Sequence, residues 1–221
     1  MNAVPLVRRA VVAGVAVAVA VAATVVQAAP ASAALPGPAG IPCKAANHGQ
    51  IEATVSSAEV SPTLTHFISV NITAGTTGER TETLSVMNTV TTTVGASTNI
   101  TAAFSIGLVK VSTTLGFSVQ TSTSSTTTET TSMRWTFNQP GYYGLYKGTR
   151  KVTGSFQLWR CFAPPGSRGG WVEAFPSSPI DFINDPFPYT TFANFEAGTI
   201  ACGDSVPVGS LRFMARQQLG C

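Results

Sequence analysis

Apolar and hydroxyl-bearing residues alternate along the middle of this chain. Leu84, Val86, Val90, Val94, Ala96, Ile100, Ala102, Phe104, Ile106 and Leu108 all fall on even positions, while Thr, Ser, Gly and Asn fill most of the odd ones, Met87 being the main exception. The parity then switches, with Val109, Val111, Leu115, Phe117 and Val119 odd and Lys110, Ser112, Thr114, Ser118 and Gln120 even. A period of two sorts residues onto the two faces of a strand, and a parity switch is what a tight antiparallel hairpin produces. A two-residue loop at Gly107-Leu108 accounts for both halves. It sets Ile106 against Val109, Phe104 against Val111, Ile100 against Leu115, Thr98 against Phe117 and Ala96 against Val119, and leaves Lys110 opposite Ser105 on the polar face. Gly at the first loop position suits a type II′ turn. Thr and Ser supply about half of residues 83–132. Their β-branching and hydroxyls favour strands over a helix, and disorder is the rival reading for Thr121–Ser132. A hairpin over 83–131 has arms of twenty-odd residues, roughly 70–80 Å at about 3.3 Å per residue.

The flanks predict further strands at Ile51–Val55 and His66–Ile72, with Pro62 between them, and at Ser132–Asn138 and Lys151–Arg160. Residues 164–221 are rich in Pro, Gly and aromatics, and Ser210–Leu219 reads as a short helix ending at Gly220. The expected fold is therefore mainly β: an elongated antiparallel sheet, a long Ser/Thr-rich amphipathic hairpin, and a small loop-rich, disulfide-closed C-terminal part.

Composition adds a compartment. Arg8 and Arg9, the apolar run Ala10–Val26 and the small-residue exit Ala31-Ser32-Ala33 have the layout of a secretory signal peptide. A membrane anchor is the competing reading of the same run. The expected organisation is a signal peptide over 1–33, a Pro/Gly linker over 34–49, a β-domain over 50–163 and the loop-rich C-terminal subdomain over 164–221. Without Arg8 and Arg9, eleven Lys/Arg face ten Asp/Glu, so bulk charge argues against a nucleic-acid partner. Cys43, Cys161, Cys202 and Cys221 make an even count in an exported chain and imply two disulfides, for which three connectivities exist. Cys202 and Cys221 are placed to close a C-terminal loop, which leaves Cys43 for Cys161.

Little points to catalysis. Gly203-Asp204-Ser205-Val206 is similar to an esterase nucleophile block, but no histidine follows His66. Asp181 and Asp185 lie among prolines that read as a turn. No GxSxG block, P-loop or dinucleotide fingerprint is present, and His48 and His66 lack metal-site spacing. No catalytic residue, metal or cofactor is expected. Between Thr130 and Val172 cations and aromatics interleave without an acidic residue, a composition that suits anionic headgroups or sugar rings. Trp135, Phe137, Phe156 and Trp159 are better read as core. Tyr142, Tyr143, Tyr146, Lys147 and Arg150, after the Pro140-Gly141 turn signal, are the candidates for a contact surface.

Two long Ser/Thr-rich alternating strands meeting at an apolar tip resemble the insertion hairpin of the aerolysin-like β-pore-forming toxins, the epsilon-toxin and mosquitocidal-toxin relatives. The resembling portion runs from about Glu82 to Trp159. It implies a secreted monomer that binds a target membrane or cell-surface ligand, forms a homo-oligomer there and inserts hairpins. Val94, Ala96, Ile100, Ala102, Phe104, Ile106, Leu108, Val109, Val111, Leu115, Phe117 and Val119 would form the membrane-facing side. Ala96–Ile106 and Val109–Val119 have the length of a membrane-crossing strand, about 9–11 residues. The alternation equally suits a non-inserting secreted module that binds a cell-surface or carbohydrate ligand, because a protein interior and lipid ask the same of an apolar face.

Overall fold

The computed structural model describes residues 38, 41–76, 78–127, 132–166, 169–174 and 186–221. The signal-peptide segment, linker residues 34–37, 39 and 40, Glu129, Asp181 and Asp185 lie outside them.

Two 22-residue strands dominate, β1 (Ile51–Ile72) and β5 (Gly141–Phe162). They run antiparallel from Ile51 opposite Arg160 to Ile72 opposite Gly141, a ladder of about 70 Å at the usual rise. Between them in sequence come β2 (Gly78–Thr83), β3 (Thr93–Val94), α1 (Ala102–Leu115) and β4 (Ser132–Phe137). After them come β6 (Gly170–Glu173), β7 (Phe187–Phe192), β8 (Glu196–Ala201) and α2 (Leu211–Leu219). The mainly β, antiparallel, elongated architecture expected from the sequence is present, but its long strand pair is β1 with β5.

The sequence reading split β1 at Pro62, and the strand instead runs through it, opposite Arg150. β1 lies at the end of the sheet order β1-β5-β7-β3, and an edge strand tolerates a residue without an N–H. Bulges between Val55 and Ser57 and between Leu64 and His66 each add a residue to β1. At the first, Gly154 sits against the Ser57 carbonyl so closely that any side chain on it would overlap that backbone.

The second edge of β5 is tiled by three short strands: β8 beside 143–148, β7 beside 151–156 and β6 beside 159–162. The C-terminal part thus contributes β6, β7 and β8 to the main sheet. Even-numbered side chains of β5 face two helices. Val152, Phe156 and Leu158 meet Leu108 and Val111 of α1, and Tyr146 meets Leu211 and Ala215 of α2. On the odd-numbered face Leu145 joins Val70, Ile72, Leu84 and Phe137 at the start of β5. Both expected disulfides are present, Cys43–Cys161 and Cys202–Cys221. The C-terminal helix has the expected ends, with the Ser210 hydroxyl accepting from the Phe213 N–H and Gly220 in the left-handed conformation.

The expected hairpin at Gly107-Leu108 is not formed. Residues 102–115 are helical, because a second periodicity is written into the same stretch. Phe104, Leu108, Val111 and Leu115 recur at helical spacing and pack on the sheet. Thr101 caps the N-terminus, Gly116 takes the left-handed conformation at the C-terminus, and Gly107 is small enough to lie on the Phe156 ring. Packing on β5 decides between the two periods.

Candidate functional site

The chain leaves the sheet at Thr83 and returns at Ser132, and those two residues are partners in a two-stranded sheet. β2 and β4 pair without a slip from Gly78 opposite Phe137 to Thr83 opposite Ser132. Glu79 and Arg134 form an ion pair across them. Residues 84–127 are an excursion from the mouth of this short ladder, and contacts on β1, β5 and β7 hold it down.

The outgoing arm lies first on the free edge of β1. Val86 bridges His66, the Met87 N–H donates to the Thr65 carbonyl at 2.7 Å, and the Asn88 amide donates to the Leu64 carbonyl at 2.9 Å. His66 is buried opposite Lys147, its Nδ1 3.0 Å from the Thr65 hydroxyl. Burial first, and the Lys147 ammonium second, hold the imidazole below its ordinary value of 6.5. The arm then reaches β7, where Thr93 and Val94 pair with Thr190 and Tyr189.

A hydroxyl clasp joins the two arms. The Thr92 N–H donates to the Ser124 carbonyl and the Thr126 N–H to the Val90 carbonyl, both at 2.9 Å. The Thr126 hydroxyl accepts from the Val90 N–H at 2.9 Å, and Thr92 and Ser124 share a hydroxyl contact of 2.9 Å. Thr92, Thr126 and Thr191 are all buried, which their hydroxyls permit because each has a partner. Here Thr91 bridges Ser125, one residue out of step with the β2–β4 register, which carried inward would put Thr91 opposite Ser124. The returning arm is fixed by Phe117, whose ring lies 4.1 Å under the Arg150 guanidinium. Farther on, Val119 bridges Ala193, and the Gln120 N–H donates to Phe192.

The twelve residues expected on one side of a hairpin are therefore gathered into one docked segment, but not onto one face. Val94, Leu108, Val111 and Val119 are buried. Ile100, Phe104, Leu115 and Phe117 are partly buried against the same core. Ala96 and Ala102 are exposed. Ile106 and Val109 are 37% and 52% exposed, large apolar residues on the wet side of α1. α1 is a weak helix by composition: it carries Ile106, Val109, Val111, Thr113 and Thr114, all β-branched, and Gly107 in its interior.

The expected contact surface is not assembled. Residues 141 onward form strand, not turn, so alternation splits Tyr142, Tyr146 and Arg150 from Tyr143 and Lys147. Tyr146 and Lys147 are buried, and Tyr143 packs on Phe137. Burial, with Glu196 second, raises the Tyr146 hydroxyl to about 12. Only Tyr142, 47% exposed, and Arg150 face solvent. Sequence reasoning missed the residues that fasten the segment: His66, Thr92, Thr126 and Thr191. A Thr-rich run gives no signal for which hydroxyls become buried.

Among the described residues no helix is long and apolar enough to cross a membrane. No protein family, curated protein or solved structure matches the chain.

Proposed function

We propose that this is an exported β-pore-forming protein whose residues 84–127 are stored as α1 and its flanking segments and whose segment 84–131 redeploys as a transmembrane hairpin. The register of β2 with β4 carries the reading. Continued inward from Thr83 opposite Ser132, one residue at a time on each strand and without a slip, it places Ala96 opposite Val119. Further in, Ile100 meets Leu115, Phe104 meets Val111 and Ile106 meets Val109, with Gly107-Leu108 left as the loop. This is the register that a two-residue loop at Gly107-Leu108 gives the alternating arms. A slip of one residue on either strand would set apolar side chains against polar ones throughout.

Three features agree with it. α1 leaves Ile106 and Val109 wet, and the hairpin would carry both to the tip. The polar face of the hairpin is rich in hydroxyls, suited to a water-filled lumen. The present Thr91–Ser125 clasp is out of step with the ladder, so it belongs to the stored form and opens on deployment. One hairpin cannot satisfy its own edges in lipid, so several chains would close a barrel.

The test is dye release from liposomes by the purified exported protein, with the oligomer followed on detergent gels. Leakage with detergent-resistant oligomers is expected. Ile106→Asp should abolish leakage while leaving the monomer's thermal unfolding near wild type, since Ile106 is already partly exposed. Leakage undiminished by that charge at the tip would overturn the proposal.

A further inference from the structure

We propose that Lys110 makes the pore select for anions; this rests on the hairpin reading above and assigns the ion class that its lumen would pass. In the β2–β4 register extended inward, the polar face takes odd positions on the outgoing arm and even positions on the returning one. Three charged residues fall on that face: Glu79, Arg134 and Lys110. Glu79 and Arg134 stand at the base of the ladder and already neutralise each other as an ion pair. Glu129 falls on the opposite face, across from Val86. Lys110 is then the one uncompensated charge of the lumen, opposite Ser105 and one pair from the loop.

In a barrel, each chain would contribute one Lys110 at the same height, next to the far mouth. A ring of ammonium groups in a narrow, low-dielectric opening raises the local concentration of anions and repels cations. Nothing else on the polar face between Ser85 and Thr130 carries charge; hydroxyls and amides, with Met87, Ala103 and two glycines among them, line the rest and favour neither sign. The present fold does not require this lysine. It lies partly exposed on α1, outside the packed cluster of Leu108 and Val111.

The experiment is the reversal potential of single channels in planar bilayers of neutral lipid under a KCl gradient. The wild-type chain is expected to reverse on the chloride side of zero, Lys110→Gln close to zero, and Lys110→Glu on the potassium side. Ser105→Glu, which sets a carboxylate across from each Lys110, should also cancel the anion preference. Wild-type channels that prefer potassium, or an anion preference that neither Lys110→Gln nor Ser105→Glu moves, would overturn the assignment while leaving the pore. Absence of any conductance from an active oligomer preparation would overturn the pore reading itself.

Discussion

Cysteines at positions 101 and 114 would distinguish the docked segment from the proposed deployed hairpin. On α1 and its N-cap these residues are separated by thirteen steps of about 1.5 Å, close to 20 Å in all. A disulfide needs Cα atoms within about 4.4–6.8 Å, so the docked helix forbids the bond. In the hairpin register Thr101 stands directly opposite Thr114 on the polar face. That is a non-hydrogen-bonded pair with Cα atoms about 4.5 Å apart. The native cysteines do not compete, since none is free. Leu108 and Val111 are fully buried beneath α1, and their burial contributes about 1.5–3 kcal/mol each. Release in solution then costs about 3–6 kcal/mol, a released fraction of roughly 10⁻² to 10⁻⁴. Losing the Thr101 cap returns about 0.5–2 kcal/mol of that. The Thr101→Cys/Thr114→Cys protein should stay reduced under mild oxidation in buffer and cross-link within each chain once oligomers form on liposomes, read by mass spectrometry of non-reduced peptides. Thr101→Cys/Thr113→Cys, whose second cysteine points to the other face, should not. Equal cross-linking of the two pairs, or leaking oligomers in which the first pair never closes, would refute the register.

Gly107→Ala should lower thermal stability by about 1–3 kcal/mol, because the added methyl overlaps the Phe156 ring; an unchanged melting curve would mean that α1 does not dock as described. His66 supplies a pH dependence. Its folded value lies below 6.5, so the unfolded chain takes up the proton first as pH falls. Stability should be level above about pH 6.5 and decline below it as pH falls toward the folded value. Urea midpoints between pH 7.5 and 5 should show that slope in the wild type and a flatter one in His66→Gln, and identical slopes would remove His66 as the cause.

The elements legible in the sequence were those specified locally. α2 announces itself by Ser210 and Gly220, β4 by its short apolar-polar run, and the disulfides by the short spacing of Cys202 and Cys221. β1 was legible in two pieces, since the tolerance of Pro62 depends on an edge position that only the whole sheet defines. Tyr146 and Lys147 read as a surface because Pro140-Gly141 has the composition of a turn. Tyr146 is buried under α2 and Lys147 against the Phe195 ring, both supplied some fifty or more residues farther along the chain. The segment 84–131 is the instructive case. Phe104, Val111 and Leu115 belong to the helical stripe and the strand face alike, so no local rule chooses between them. The choice falls to Phe156, which offers α1 a surface that the sequence of α1 does not contain.

The excursion begins and ends at facing residues of one ladder, Thr83 and Ser132, and this restricts how such a chain can change length over evolution. One residue added to one arm would turn every side chain beyond it to the wrong face. If the segment deploys as proposed, viable length changes are two residues at a time, matched across both arms, each lengthening the hairpin by about 6.6 Å. On that proposal, descendants of this chain adapted to thicker or thinner bilayers would carry such mirrored insertions and deletions around Gly107-Leu108, while β1 and β5 kept their length.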